Sequence, residues 1–417
     1  MTHPGPAYPA NSALAEDGAL LLAGCDAREL AREFGTPLFV VDEDDIRARA
    51  RAFTESFAAR SSNFDVHFAA KAFPCTAVLS LLGQEGLSCD VAGGGELALA
   101  LRAGFDPAKI HFHGNAKSRR ELREALEAGV GHVVLDNEQD IERLEEIVPD
   151  GAVEAVQMRI APGVSPDTHP SISTGGPNTK FGFNLEAARA AIARVHASER
   201  LDLEGLHMHI GSQILDLAPF RPAIEAIAEL GTFRTVNLGG GLGTVYTDAD
   251  VPPSIADYVE SKVSVVHEIL GPDVRILDEP GRALTANSTV TLYSVESVKR
   301  NVDAYVAVDG GMSDNLRPML YGARYQAEIV GRFGGGTRCH LVGKHCESGD
   351  VIVQDADLAD PRPGDVVVTP ATGAYGFAMA NTYNGALRAP VVFVRDGAAR
   401  AVVRRETYAD LWARDVA

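Results

Sequence analysis

Lys71 closes the apolar run Val-His-Phe-Ala-Ala-Lys in a chain with only seven lysines. An amine at the end of a buried strand is partly desolvated and can attack a carbonyl to form a Schiff base. Its structural alternative is a pairing with Asp90 or Glu96. Gly239-Gly240-Gly241-Leu242-Gly243 follows a later apolar run. Backbone N–H groups without side chains can close around a phosphate there, although such a run can also be a tight turn. Arg282 would bring a counter-charge. Glu279 could keep a pyridine nitrogen protonated, or pair with Arg282. His207 and His209 alternate onto one face of a strand. No cysteine or carboxylate stands at ligand spacing from them, so no metal is expected, and His209 is expected to stack on a cofactor ring. A carbonyl-trapping lysine with a phosphate cradle points to pyridoxal phosphate.

The elements that carry these residues form a series. Short apolar runs fall at 66–70, 87–91, 110–113, 132–135, 156–160, 205–209, 235–238 and 274–278. Each ends in or is followed by a polar or glycine group: Lys71, Asp90, His113 with Asn115, Asp136, Arg159, His209, the glycines, and Glu279 to Arg282. Eight strands with their chemistry at one end predict a (β/α)8 barrel, whose active site forms at the C-terminal ends of its strands. Helical spacing falls between them at 76–82, 95–103, 118–128, 137–147, 185–196, 219–230 and 256–270, with Ser118 and Asn137 as N-caps. After Arg282 short β-branched segments separated by Gly, Pro and Asp predict a C-terminal β-sandwich or small β-barrel domain, which the strand at 37–41 can join. The expected division is a flexible start at 1–16, a β domain from 17–44 with 288–417, and a barrel over 45–287.

At 417 residues with 46% hydrophobic content, the chain has material for two cores. A formal charge of −19 argues against nucleic acid or an anionic membrane as partner. Five cysteines form no Cys-x-x-Cys pair, and no apolar run is long enough for a leader or a membrane span. The expected location is the cytoplasm.

Several motifs occur in order: Phe-Ala-Ala-Lys71-Ala, Cys89-Asp90-Val-Ala-Gly-Gly-Gly-Glu96-Leu, His113-Gly-Asn-Ala-Lys-Ser118, His207-Met-His209-Ile-Gly-Ser212-Gln, Gly239-Gly-Gly241, Glu279-Pro-Gly-Arg282, Cys346-Glu347-Ser-Gly-Asp350 and Gly373-Ala-Tyr375-Gly. This set resembles the fold-type III pyridoxal-phosphate decarboxylases, and within them the diaminopimelate decarboxylase family, from about Gly35 to Asn384. The resemblance implies an enzyme that converts meso-2,6-diaminopimelate to L-lysine and carbon dioxide. It implies that Lys71 holds the cofactor, that His209 stacks on its ring and that Glu279 meets the pyridine nitrogen. Ser212, Gly239, Gly240, Gly241, Arg282 and Tyr375 would surround the phosphate, with Asp90, Glu96 and Arg159 in support. Cys346 would protonate the α-carbon from the partner protomer of a homodimer. The alternative for Cys346 is a buried small hydrophobe, which its neighbours His345, Glu347 and Asp350 oppose.

Substrate choice is expected to rest on Arg317, Tyr321 and Glu347, with Arg282 and Tyr375 near the reacting end. Arg317 can clamp a distal carboxylate through a bidentate fork and Glu347 can pair an ammonium; a surface ion pair is the alternative. Phe73 and Gly93 depart from the family's usual Asn and Ser, and a Gly-Pro-Asn insert at 176–178 follows a lid-like stretch at 169–175. The rivals are a same-fold decarboxylase of another amino acid, such as a carboxylated polyamine or secondary-metabolite precursor, and a catalytically dead binder.

Overall fold

In a computed structural model of the protein, residues 1–164, 175–176 and 179–416 are described. The expected lid and its insert, apart from residues 175 and 176, lie outside the described residues. The chain forms two compact units, one of Arg49–Gly243 with Pro252–Gly281, the other of Met1–Ala48, Thr244–Val251 and Arg282–Ala417.

The first unit is a closed parallel barrel of eight strands, Phe64–Ala69, Ser88–Val91, Ile110–Phe112, His132–Leu135, Glu154–Ile160, Leu201–Met208, Thr235–Asn237 and Arg275–Asp278. Each pairs with the next, and the eighth returns to the first through Leu277↔Asp65. The helices that follow Ser118, Asn137, Asn184 and Ser254 start where these side chains satisfy free N–H groups. Ser118 forms a capping box with Glu121 ahead of Arg119–Ala128, and Asn137 caps Glu138–Ile147. Part of the barrel core is polar. His67, His111, Gln157, His207 and Asn237 are all buried, and the His67 and His111 rings lie 4.0 Å apart. Burial pushes both of these imidazoles down, which keeps them neutral.

The second unit is the expected separate β domain, with a nine-stranded mixed, branching sheet and a three-stranded antiparallel sheet. Its long strand Thr289–Arg300 pairs with Leu38–Asp42, Val366–Pro370 and Ala304–Val308. Leu38–Asp42 is therefore an interior strand of this sheet, flanked on its other side by Val391–Arg395. Strands Val351–Leu358 and Ala398–Val403 extend the two ends, and both carry charged residues that hide their period. The start of the chain, expected to be flexible, is tied down. Ser12–Leu14 pairs with Leu20–Leu22, and buried Tyr8 packs with Leu20, Leu22 and Leu30. Strand pairing and this buried aromatic contact together hold the segment despite its Pro- and Ala-rich composition.

Candidate active site

Lys71 sits on a single 3-10 turn, Ala70–Ala72, directly after the first barrel strand. Its side chain is exposed on the isolated chain, where partial desolvation was expected. Its charge favours the ionised forms of Asp90 and Glu96 and disfavours a protonated His209. Asp90 is buried in the second strand with Oδ1 3.6 Å from His113 Nε2. Burial pushes the Asp90 and Glu96 carboxyls up, and nearby cations only partly offset this. Glu96 Oε2 accepts the Ala92 N–H at 2.8 Å. Arg159, in the fifth strand, lies 4.4 Å over the Phe181 ring with Nη1 3.9 Å from Asp136 Oδ1.

Glu279 follows the eighth strand, and three side chains meet its carboxylate. His113 Nε2 stands 2.9 Å from Oε1, Asn237 Nδ2 donates to Oε1 at 2.6 Å, and His207 Nε2 stands 3.1 Å from Oε2. Burial alone would raise this carboxyl, but the two imidazoles hold it well below the usual carboxylate range. Burial also opposes charge on His113, yet Asp90 and Glu279 raise its pKa above the ordinary imidazole value. His207 is pushed down to about 4 by burial. These shifts favour charge on Glu279 and on His113 and a neutral His207. His111, His113 and Glu279 each place one ligand atom within 4.8 Å of the others. Both Glu279 oxygens are hydrogen-bonded within this end of the barrel.

The glycine run after the seventh strand is packed too closely for side chains. A Cβ on Gly240 would stand 2.1 Å from Glu279 O, and one on Gly239 2.5 Å from Met208 O. Gly239 and Gly241 also take positive φ, at 57° and 123°, which favours glycine. The run is hydrogen-bonded to the segment that holds Ser212, through Ile214 N–H to Gly241 O at 2.9 Å and Gly243 N–H to Ile214 O at 2.9 Å. The Gly240 N–H donates to His209 Nδ1 at 3.2 Å, which fixes the imidazole beside the loop. Burial, then the Lys71 charge, keeps His209 neutral.

The second unit gathers two arginines among tyrosines. Arg282 donates to Tyr246 Oη and lies 5.0 Å over the Tyr375 ring. Arg317 donates to Tyr325 Oη and lies 4.7 Å over the Tyr246 ring. Arg317 is only 5% exposed, which removes the surface ion-pair alternative. Among the described residues no carboxylate pairs with it, and its buried Nε has no hydrogen-bond partner. Tyr321 is half-buried on the same short helix, Arg317–Tyr321. Cys346 is exposed, so it is no core hydrophobe; its N–H donates to Asn384 Oδ1 at 2.9 Å. Glu347 is also exposed, beside the buried His345–Asp350 pair at 2.6 Å.

An exposed lysine at the barrel mouth, a buried anionic carboxylate and a loop that admits no Cβ fit pyridoxal phosphate in charge and shape. The family model of the pyridoxal-dependent decarboxylase, pyridoxal binding domain, matches residues 43–286. The diaminopimelate decarboxylase of Mycobacterium tuberculosis (strain H37Rv) is 45% identical over 439 residues, covering 98% of this chain and 97% of its own. That of Bacillus subtilis (strain 168) is 45% identical over 416 residues, 95% of each chain. The chain belongs to the diaminopimelate decarboxylase family. The solved diaminopimelate decarboxylase from M. jannaschii, in complex with L-lysine, superposes with a TM-score of 0.91 at 33% identity over 98% of each chain.

Within this member of the diaminopimelate decarboxylase family, reading the sequence singled out Glu279 but not the groups that hold it. His113 and His207 were visible as strand-end residues, and the alternation His207-Met-His209 was the one signal that His207 faces inward. Asn237, two residues before the glycine run, carried no signal of its own. Tyr246 and Tyr325 were likewise not singled out. Among the described residues no helix is long and apolar enough to cross a membrane.

Proposed function

We propose that the protein is a pyridoxal-phosphate-dependent decarboxylase that converts meso-2,6-diaminopimelate to L-lysine and carbon dioxide in the cytoplasm, as a homodimer. The observation that carries the substrate assignment is Arg317, a buried guanidinium with no carboxylate partner among the described residues. An uncompensated buried cation is costly, and an arriving carboxylate would relieve it through a bidentate fork. A substrate with a second amino-acid head has such a carboxylate; a diamine precursor has not.

Bound through Lys71, pyridoxal phosphate supplies an electron sink for the bond that breaks when carbon dioxide leaves. The chain's own groups prepare that step. Glu279 holds a proton at the ring nitrogen, and His113, His207 and Asn237 keep Glu279 anionic and in place. His209, neutral and bonded to Gly240, offers a flat face to the ring. Gly239, Gly240 and Gly241, with Ser212, Arg282 and Tyr375, would surround the phosphate. Asp90, Glu96 and Arg159 set the charge around Lys71. Tyr321 and Glu347 accompany Arg317 at the distal head, with Glu347 on its ammonium. The Cys346 thiol, exposed and supplied by a second copy of the chain, gives its proton to the α-carbon.

The test is lysine formation and carbon dioxide release from meso-diaminopimelate with added pyridoxal phosphate, beside a Lys71→Ala control. Lysine only from the protein with intact Lys71 is expected. A yellow, cofactor-loaded protein that forms no lysine would move the assignment to a same-fold decarboxylase of another amino acid.

A further inference from the structure

Behind the glycine run lies a second lysine that the chemistry above does not use. Lys262, on the helix Ile255–Leu270, is fully buried, with its side chain 0% exposed. A buried ammonium is costly unless its protons find acceptors and a counter-charge. Lys262 Nζ donates to Asp278 Oδ1, to Tyr258 Oη, to Gly239 O at 3.1 Å and to Leu238 O at 3.4 Å. The Phe220 and Tyr258 rings lie 4.5 and 4.3 Å away. Two of these acceptors bear on the site. Gly239 O also accepts the Glu279 N–H at 3.1 Å, and Asp278 is the residue before Glu279. The ammonium therefore joins the first glycine of the loop to the end of the strand that presents the carboxylate.

We propose that Lys262 is a positioning residue that holds the glycine loop and the Glu279 backbone in register with each other, so that the phosphate cradle and the ring-nitrogen partner stay at the spacing of one cofactor. This rests on the reading that the loop takes the cofactor's phosphate. A buried ion pair that served stability alone would give a different result when both charges are removed together, because such pairs can be replaced by neutral groups with little loss of stability. Lys262→Met alone would leave Asp278 without its counter-charge, and its Oδ2 already lacks a partner. Lys262→Met combined with Asp278→Asn avoids that and still strips the loop carbonyls of their donor.

The experiment titrates the apoprotein with pyridoxal phosphate and, separately, with pyridoxal, following absorbance and protein fluorescence, with circular dichroism to establish folding. Wild type should bind the phosphorylated form more tightly. In the folded double variant this preference should fall by about tenfold or more, while the affinity for pyridoxal changes little. A loss of affinity equal for both ligands, or an unchanged preference, overturns the role of Lys262. Should the double variant not fold, Tyr258→Phe decides, because it removes one acceptor of Lys262 without altering charge. A drop in preference of about threefold is then expected, and no drop overturns the proposal. A wild-type apoprotein that does not distinguish the two ligands would instead overturn the reading of the glycine loop itself.

Discussion

His113 Nε2 stands 2.9 Å from Glu279 Oε1, although the two residues are 166 positions apart in the chain. The pair puts an anion at the floor of the barrel mouth without leaving its charge unbalanced. In the proposed reaction that anion holds the proton on the ring nitrogen. Glu279→Gln keeps the shape and the hydrogen bond from Asn237 but removes the charge. Lysine formation should fall about 10²-fold or more while cofactor absorbance at Lys71 persists. Steady-state rates beside the visible spectrum check this, and an unchanged rate in a cofactor-loaded variant would remove Glu279 from the mechanism.

His207 makes stability depend on pH. Its pKa is lowered from 6.5 to about 4 by burial. Between those values the unfolded chain binds a proton that the folded chain excludes, so stability falls as pH drops from 6.5 towards 4. The full effect is on the order of 3 kcal/mol for one group. Thermal midpoints measured across this range should drop less steeply in His207→Gln than in wild type. Parallel curves would show that His207 does not titrate in this way.

Gly240 leaves no room for a methyl group, since its Cβ would stand 2.1 Å from Glu279 O. Gly240→Ala must push the loop away from the eighth strand. Affinity for pyridoxal phosphate, measured on the apoprotein, should weaken by about tenfold or more, with a loss of stability of about 1–3 kcal/mol. Wild-type affinity in this variant would mean that the loop does not take the phosphate.

Arg317 lies against the rings of Tyr246 and Tyr325 with no carboxylate partner among the described residues. Arg317→Met fills similar space without the fork or the charge. It should lower kcat/KM for meso-diaminopimelate by about 10²-fold or more, and Arg317→Lys should recover only part of this, because an ammonium cannot make the paired bond. Turnover at the wild-type level in the Met variant would place the distal carboxylate elsewhere.

The barrel was legible because its strands alternate regularly with helices. Each expected run overlaps an observed strand, and the helix at 185–196 begins and ends where its spacing predicts. The helix Glu43–Ala58 was not singled out, although Ile46, Ala50, Phe53 and Phe57 are all buried along it. Three acidic residues in its first turn and the arginines between its apolar positions mask that spacing. The β unit was read as texture only, since short strands whose neighbours are distant in the chain carry no signal of their pairing.

Periodicity and residue type alone placed Lys71, Glu279 and the glycine run at the ends of apolar strands, because side-chain period and strand direction are local properties of the chain. What holds Glu279 ionised was decided by the tertiary structure. Its partners His113, His207 and Asn237 lie 166, 72 and 42 positions away, and only barrel closure brings them together. The same holds for Lys262, whose place on an apolar helix face looks like an error in the pattern until Asp278 and the Gly239 carbonyl meet it. A buried charge is stable only with its partners, and sequence spacing does not say which partners the fold will bring.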